Sequence, residues 1–169
     1  MPAIAADTLI ACPSGPRAAH SIMPGDHVVT LSGPRRVVWT GMRNLRGAEL
    51  REAPSLGPIT LRLGVLGQAA DLRAAPHTRV AAAPGGLDHA VELARAGHGE
   101  AMPTVACAYV SIMFEETERV RANGVWIECL RPDEAPSPEL AASRNQLFRL
   151  FPSLARRVPL ARVLSPRIG

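Results

Sequence analysis

The chain contains no lysine at all; every one of its 19 basic residues is arginine. Aromatic residues are scarce at 4%, so a core has to be filled by Val, Leu, Ile and Ala. The same scarcity leaves no aromatic platform between cations on which nucleic-acid bases would stack. Cysteine is sparse too. Cys12, Cys107 and Cys129 are odd in number and lack the CxxC spacing of a zinc or redox pair, which argues against a disulfide framework or a thiolate metal site. They are expected to be small buried residues. No apolar run reaches the length of a membrane span, and no signal-peptide pattern opens the chain. A soluble protein is expected, with cytoplasm and secretion both left open.

What is present is 169 residues with 47% hydrophobic content, enough to build a core without staples. The net charge of +4 gives a pI near 9.7, which raises nucleic acid as a partner. Against it, the arginines are scattered, with Arg35-Arg36 and Arg156-Arg157 as the pairs. Solvated surface arginines are the preferred reading, and nucleic acid is not favoured.

The pattern along the chain is mostly β. A first short strand is predicted over residues 7 to 12, stopped by Cys12-Pro13-Ser14-Gly15-Pro16. His27 to Leu31 and Arg36 to Arg43 flank the turn Ser32-Gly33-Pro34 and are expected to pair antiparallel. Ile59 to Leu63 alternates with period two, and another strand is predicted over Leu72 to Ala82. A polar loop is expected from Arg46 to Pro58, and a helical turn over Ala90 to Ala96. Val105 to Phe114 is the strongest strand by composition, and Asn123-Gly124 marks a hairpin turn before Val125-Trp126-Ile127. Trp39 and Trp126 are expected in the core, and Asp26 is expected to cap a turn. Ser137 as N-cap and Pro138 at the first helical position open a C-terminal helix ending at Pro152, followed by an extended tail. The expected organisation is a β domain over residues 1–132, with the helix and tail, 133–169, packed on it.

Several segments in this order carry a resemblance. Ala3-Ile4-Ala5-Ala6-Asp7-Thr8-Leu9-Ile10, then Pro24-Gly25-Asp26, then Ala75-Pro76-His77-Thr78-Arg79-Val80, stand at the spacing of a Hint domain, the self-processing fold of inteins and Hedgehog C-terminal domains. Tyr109 to Thr117, Ala122-Asn123-Gly124 and Glu128-Cys129-Leu130 continue it, so the resemblance extends over nearly the whole chain. It implies a flattened horseshoe of curved antiparallel strands in two pseudo-symmetric halves.

The resemblance also implies a mechanism. A cysteine at the first position attacks the carbonyl before it, converting a peptide bond to a thioester. A histidine on a facing loop protonates the leaving nitrogen. In this chain Ala3 stands at the nucleophile position and Thr78 at the histidine position, with His77 one place earlier. Ser111 and Thr117 replace two further histidines, while Glu115 keeps an acid where the family has aspartate. A one-residue slip in an extended segment would turn His77 to the opposite face. No His-Asn pair ends the chain, which speaks against splicing.

The remaining polar residues have plainer readings. His20, His27, His89 and His98 are expected as surface or turn histidines. Glu115, Glu116 and Glu118 form an acidic patch with the charge to attract calcium, and a solvated patch is the preferred reading. No cofactor or metal is expected. The leading expectation is a Hint-type domain that has lost its self-cleaving chemistry and acts as an interaction module. Its partner is unspecified, either another protein or a fused upstream segment. The alternative is residual autoproteolysis before Ala3, with water or Ser111 as nucleophile and His77 as acid.

Overall fold

The computed structural model describes residues 3–62, 64, 66, 69–83, 86–103 and 105–129, together with Asn145, Phe148, Arg149 and Pro152. In chain order the strands are β1 (Ala3–Ala5), β2 (Leu9–Ile10), β3 (Arg17–Ala18), β4 (His27–Thr30), β5 (Gly33–Arg36), β6 (Trp39–Leu45) and β7 (Ile59–Leu61). They continue as β8 (Leu72–Ala74), β9 (Arg79–Ala83), β10 (Gly86–His89), β11 (Gly99–Ala101), β12 (Cys107–Met113), β13 (Glu118–Ala122) and β14 (Val125–Cys129). Between the strands, among the described residues, lie the short α-helices α1 (Gly47–Glu52) and α2 (Ala90–Leu93), the latter running on into a π-helical turn over Ala94–His98. The fold is mostly β, and every strand pairing is antiparallel.

One sheet runs β11-β7-β8-β1-β12-β6; the other runs β10-β9-β14-β13-β2-β3, with β4 and β5 joined to it through β13. A single apolar core serves both. Ile4, Leu61, Tyr109 and Ile112 enter it from the first sheet, and Ile10, Val80, Val120 and Ile127 from the second. The lone tyrosine is fully buried, and its hydroxyl donates to Leu56 O at 3.1 Å, which removes the cost of an unpaired polar group in the core.

Backbone turns explain where the chain departs from its periodicity. The strand expected over residues 7 to 12 is confined to Leu9–Ile10, and Ala3–Ala5 forms a separate strand before it. Thr8 N–H bonds back to Ala5 O at 3.0 Å, so Ala3–Ala5 joins one sheet and Leu9–Ile10 the other. The pairing expected between His27–Leu31 and Arg36–Arg43 is also corrected. Gly33–Arg36 is the partner of β4, and Gly33, with φ +93, makes the turn. At Val37 and Val38 the chain crosses between sheets. Val37 N–H goes to Asp26 O at 2.8 Å and Val38 N–H to Met113 O at 2.9 Å, so Trp39–Leu45 pairs with β12 instead.

The segment Leu72–Ala82 is likewise split. Thr78 N–H bonds Ala75 O at 2.9 Å, and this turn at Pro76-His77 sends β8 and β9 to different sheets. The polar loop after Arg46 contains α1, because the Glu49 carboxylate accepts from the Arg46 N–H at 3.0 Å and satisfies an exposed helix-start donor. Asp26 caps its turn as expected, accepting from Met23 N–H at 2.9 Å. Trp39 packs against the core from a half-buried position, and Trp126 is half-buried. The C-terminal helix and tail fall mostly outside the described residues. Of that stretch, Phe148 packs against the core and Arg149 O accepts from the Arg43 guanidinium at 2.7 Å.

Candidate functional site

β1 lies in the middle of the first sheet, hydrogen-bonded to β12 on one side and β8 on the other. Its three residues are small or apolar and fully buried, which suits a strand covered on both faces. The register sets Ala3 opposite Ser111, and both are buried. The turn after β8 returns to β1: Ala75 N–H donates to Ala3 O at 2.7 Å.

Thr78 follows that turn and is held at both ends of its own backbone, by N–H to Ala75 O and by its carbonyl, which accepts from Ala90 N–H at 2.9 Å. Its buried hydroxyl therefore has little freedom. Oγ1 lies 3.4 Å from Ala3 N, from which it accepts, and 3.2 Å from Ala3 O, to which it donates. Ala3, Thr78 and Ser111 are thus brought together from three segments of the chain.

His77 is placed differently. Its ring makes an edge-on contact with His89, centroids 5.4 Å apart, while His89 Nδ1 is 3.1 Å from His77 O. Burial, then the neighbouring His89, lower the His77 pKa below its ordinary value; Glu92 opposes this and Arg95 adds to it. A histidine whose folded pKa is lowered destabilises the fold as it becomes protonated. Stability is therefore expected to fall as pH drops below the ordinary value of 6.5 toward the folded pKa. In urea titrations across that window, His77→Gln should flatten the decline.

Glu115 and Thr117 are exposed in the connection between β12 and β13. Glu115 lies four residues beyond Ser111, about 13 Å along an extended chain, and lines a separate cleft with β5. Glu118, third of the acidic trio, is buried and accepts from the Arg35 guanidinium at 3.1 Å. Among the described residues no cluster of three His, Cys, Asp or Glu could hold a metal ion.

All three cysteines are buried free thiols. Burial raises the pKa of Cys12 and Cys107, and takes Cys129 to about 12. Thiolate is the reacting species, so burial and a raised pKa both disfavour reaction of these groups in the folded chain. Iodoacetamide at neutral pH is expected to add nothing to the native protein and three labels after denaturation, read by mass.

Two features escaped sequence reasoning. Glu128 is buried and bound by Arg79, with Arg119 at 3.9 Å. Asn123, legible as a turn residue, also clamps neighbouring segments. Leu9 N–H donates to its Oδ1 and its Nδ2 donates to Asp71 O, both at 2.8 Å. Among the described residues, eight arginines are in ion pairs with carboxylates.

Residues 2–134 match the family model of the Hint domain. Among solved structures, the MchDnaB-1 intein is similar at 14% identity and a TM-score of 0.51, over 75% of this chain and 98% of that one. A gp41-1 intein carrying three substitutions, one of them cysteine to alanine at its first position, is similar at 11% identity and a TM-score of 0.54, over 78% of this chain and 100% of that one. The bacterial intein-like domain from Clostridium thermocellum is similar at 16% identity and a TM-score of 0.52, over 75% of this chain and 97% of that one. No curated protein matches the sequence. With the family model matched over most of its length and the intein fold in its two sheets, the chain belongs to the Hint domain family.

Proposed function

We propose that this Hint domain is a non-catalytic descendant of a self-cleaving module and acts through binding. The observation that carries the reading is the Thr78 hydroxyl at Ala3. The attack that the family makes on the carbonyl at this position uses a nucleophile on the side chain of that same residue, and Ala3 offers a methyl group. Expulsion of the Ala3 nitrogen then needs an acid that gives it a proton. Thr78 Oγ1 is within reach but faces the wrong way chemically, accepting from Ala3 N–H and giving its own proton to Ala3 O. The pair holds β1 in place where a reacting domain would need a nucleophile and an acid.

The alternative, residual cleavage before Ala3, has one observation in its favour: Ser111 stands opposite Ala3 in the β1–β12 register. An attack by its hydroxyl would leave an oxygen ester, which hydroxylamine cleaves. The chain carrying a short N-terminal extension is therefore incubated with dithiothreitol and, separately, with hydroxylamine. The non-catalytic reading expects no release of the extension by either. Release by hydroxylamine alone would replace it with Ser111 catalysis.

A further inference from the structure

A cleft of about 710 Å³ opens between β5 and the connection from β12 to β13. That volume lies in the range of ligand-binding clefts. Its walls are the two places where the chain passes from one sheet to the other, and the backbone fixes them. Gly25 N–H bonds Val37 O at 2.8 Å, and Val38 N–H bonds Met113 O at 2.9 Å. The cleft is therefore preformed. Buried Val37 and Phe114 line it, and Val38 adds exposed apolar surface.

The rim carries charge of opposite sign on its two sides. Arg35 is neutralised by Glu118, but Arg36 on one wall and Glu115 and Glu116 on the other are exposed and have no ion pair among the described residues. β5, three of whose residues line the cleft, has β4 as its one strand partner among the described residues, so its second edge is unpaired there. An occupant that satisfies all of this is elongated, apolar in its middle and charged at both sides. An extended peptide has that form, whereas a nucleic acid would meet Glu115 and Glu116 with like charge.

We propose that this cleft binds an extended peptide segment of a partner protein, one that presents a basic side chain to Glu115 and Glu116 and a carboxylate to Arg36. The proposal supplies a partner for the non-catalytic reading and rests on it, but its test reads binding and not cleavage, so the two fail separately.

The test is fluorescence anisotropy on the full chain with a short labelled peptide in which paired arginines and paired glutamates flank valines. Wild-type protein is expected to bind it, and to bind a peptide with every charge neutralised about tenfold more weakly. The variant Arg36→Glu, Glu115→Arg, Glu116→Arg is expected to lose about tenfold in affinity for the first peptide and to recover it for the peptide with charges exchanged. Arg36→Glu alone, at an exposed site, gives a smaller loss and serves if the triple variant misfolds. Equal binding of the charged and neutral peptides, unchanged affinity in either variant, or no binding by wild type overturns the proposal. So does self-association of the chain through this cleft.

Discussion

Replacing Ala3 by cysteine and Thr78 by histidine in one chain is expected to produce thiol-dependent cleavage of an N-terminal extension, while either replacement alone leaves the chain intact. The two changes supply different halves of one reaction. Ala3→Cys places a thiol next to the carbonyl it must attack, on a strand already fixed between β8 and β12. Thr78→His puts a titratable ring where an oxygen now lies 3.4 Å from Ala3 N. General acid catalysis contributes roughly 10²–10⁴-fold, so a thiol without the acid should stay below detection over hours. The cost is packing, since Thr78 is buried and imidazole is larger; overfilling a core site costs about 1–3 kcal/mol. A thermal melt of the double variant separates a lost fold from a failed reaction. Cleavage is read as a mass shorter by the extension, with and without dithiothreitol.

The second large effect is on stability. Asn123→Ala is expected to destabilise the chain by about 2–3 kcal/mol, the sum of roughly 1 kcal/mol for each of two lost hydrogen bonds and a further penalty for its left-handed backbone. Asn123 has φ +47, and its main chain also bonds Leu9 O and Ala69 N–H, each at 2.8 Å. One side chain thus joins β2, the β13–β14 turn and the segment leading to β8. Asn123→Gly separates the terms, because glycine accepts the backbone angle without strain but makes neither side-chain bond. It should therefore lose less than Asn123→Ala. Urea denaturation of both variants measures the difference.

Much of this architecture was legible in the residues. Val105 to Phe114 and Asn123-Gly124 announced β12 and the β13–β14 hairpin through β-branched density and a turn pair. The order of segments from Ala3 to Glu128 announced the family. What local pattern could not show was which sheet a strand joins. Val37-Val38 and Pro76-His77 are short points of passage, and a window of residues around either reads as one continuous strand. α1 was hidden for a related reason. Its start is secured by a single carboxylate, that of Glu49, inside a stretch with little helical periodicity.

At the candidate site, the proximity of Ala3, Thr78 and Ser111 depends on contacts between residues 75 or more positions apart, and only the motif spacing hinted at it. The same motif grouped Glu115 and Thr117 with them, yet the end of β12 carries these two into an exposed connection. Glu115 there faces the cleft beside β5. The Glu128 cluster had no local signal, because Arg79 and Arg119 reach it from two neighbouring strands.

The most direct measurement of the central claim is the intact mass of the otherwise unaltered chain bearing a short N-terminal extension, followed through prolonged incubation at neutral pH without additives. The mass should stay that of the uncut chain, because the Ala3 side chain has no nucleophile and the Thr78 hydroxyl donates its hydrogen bond to the Ala3 carbonyl. Appearance of a product beginning at Ala3 would contradict the account and show that this Hint domain still cleaves.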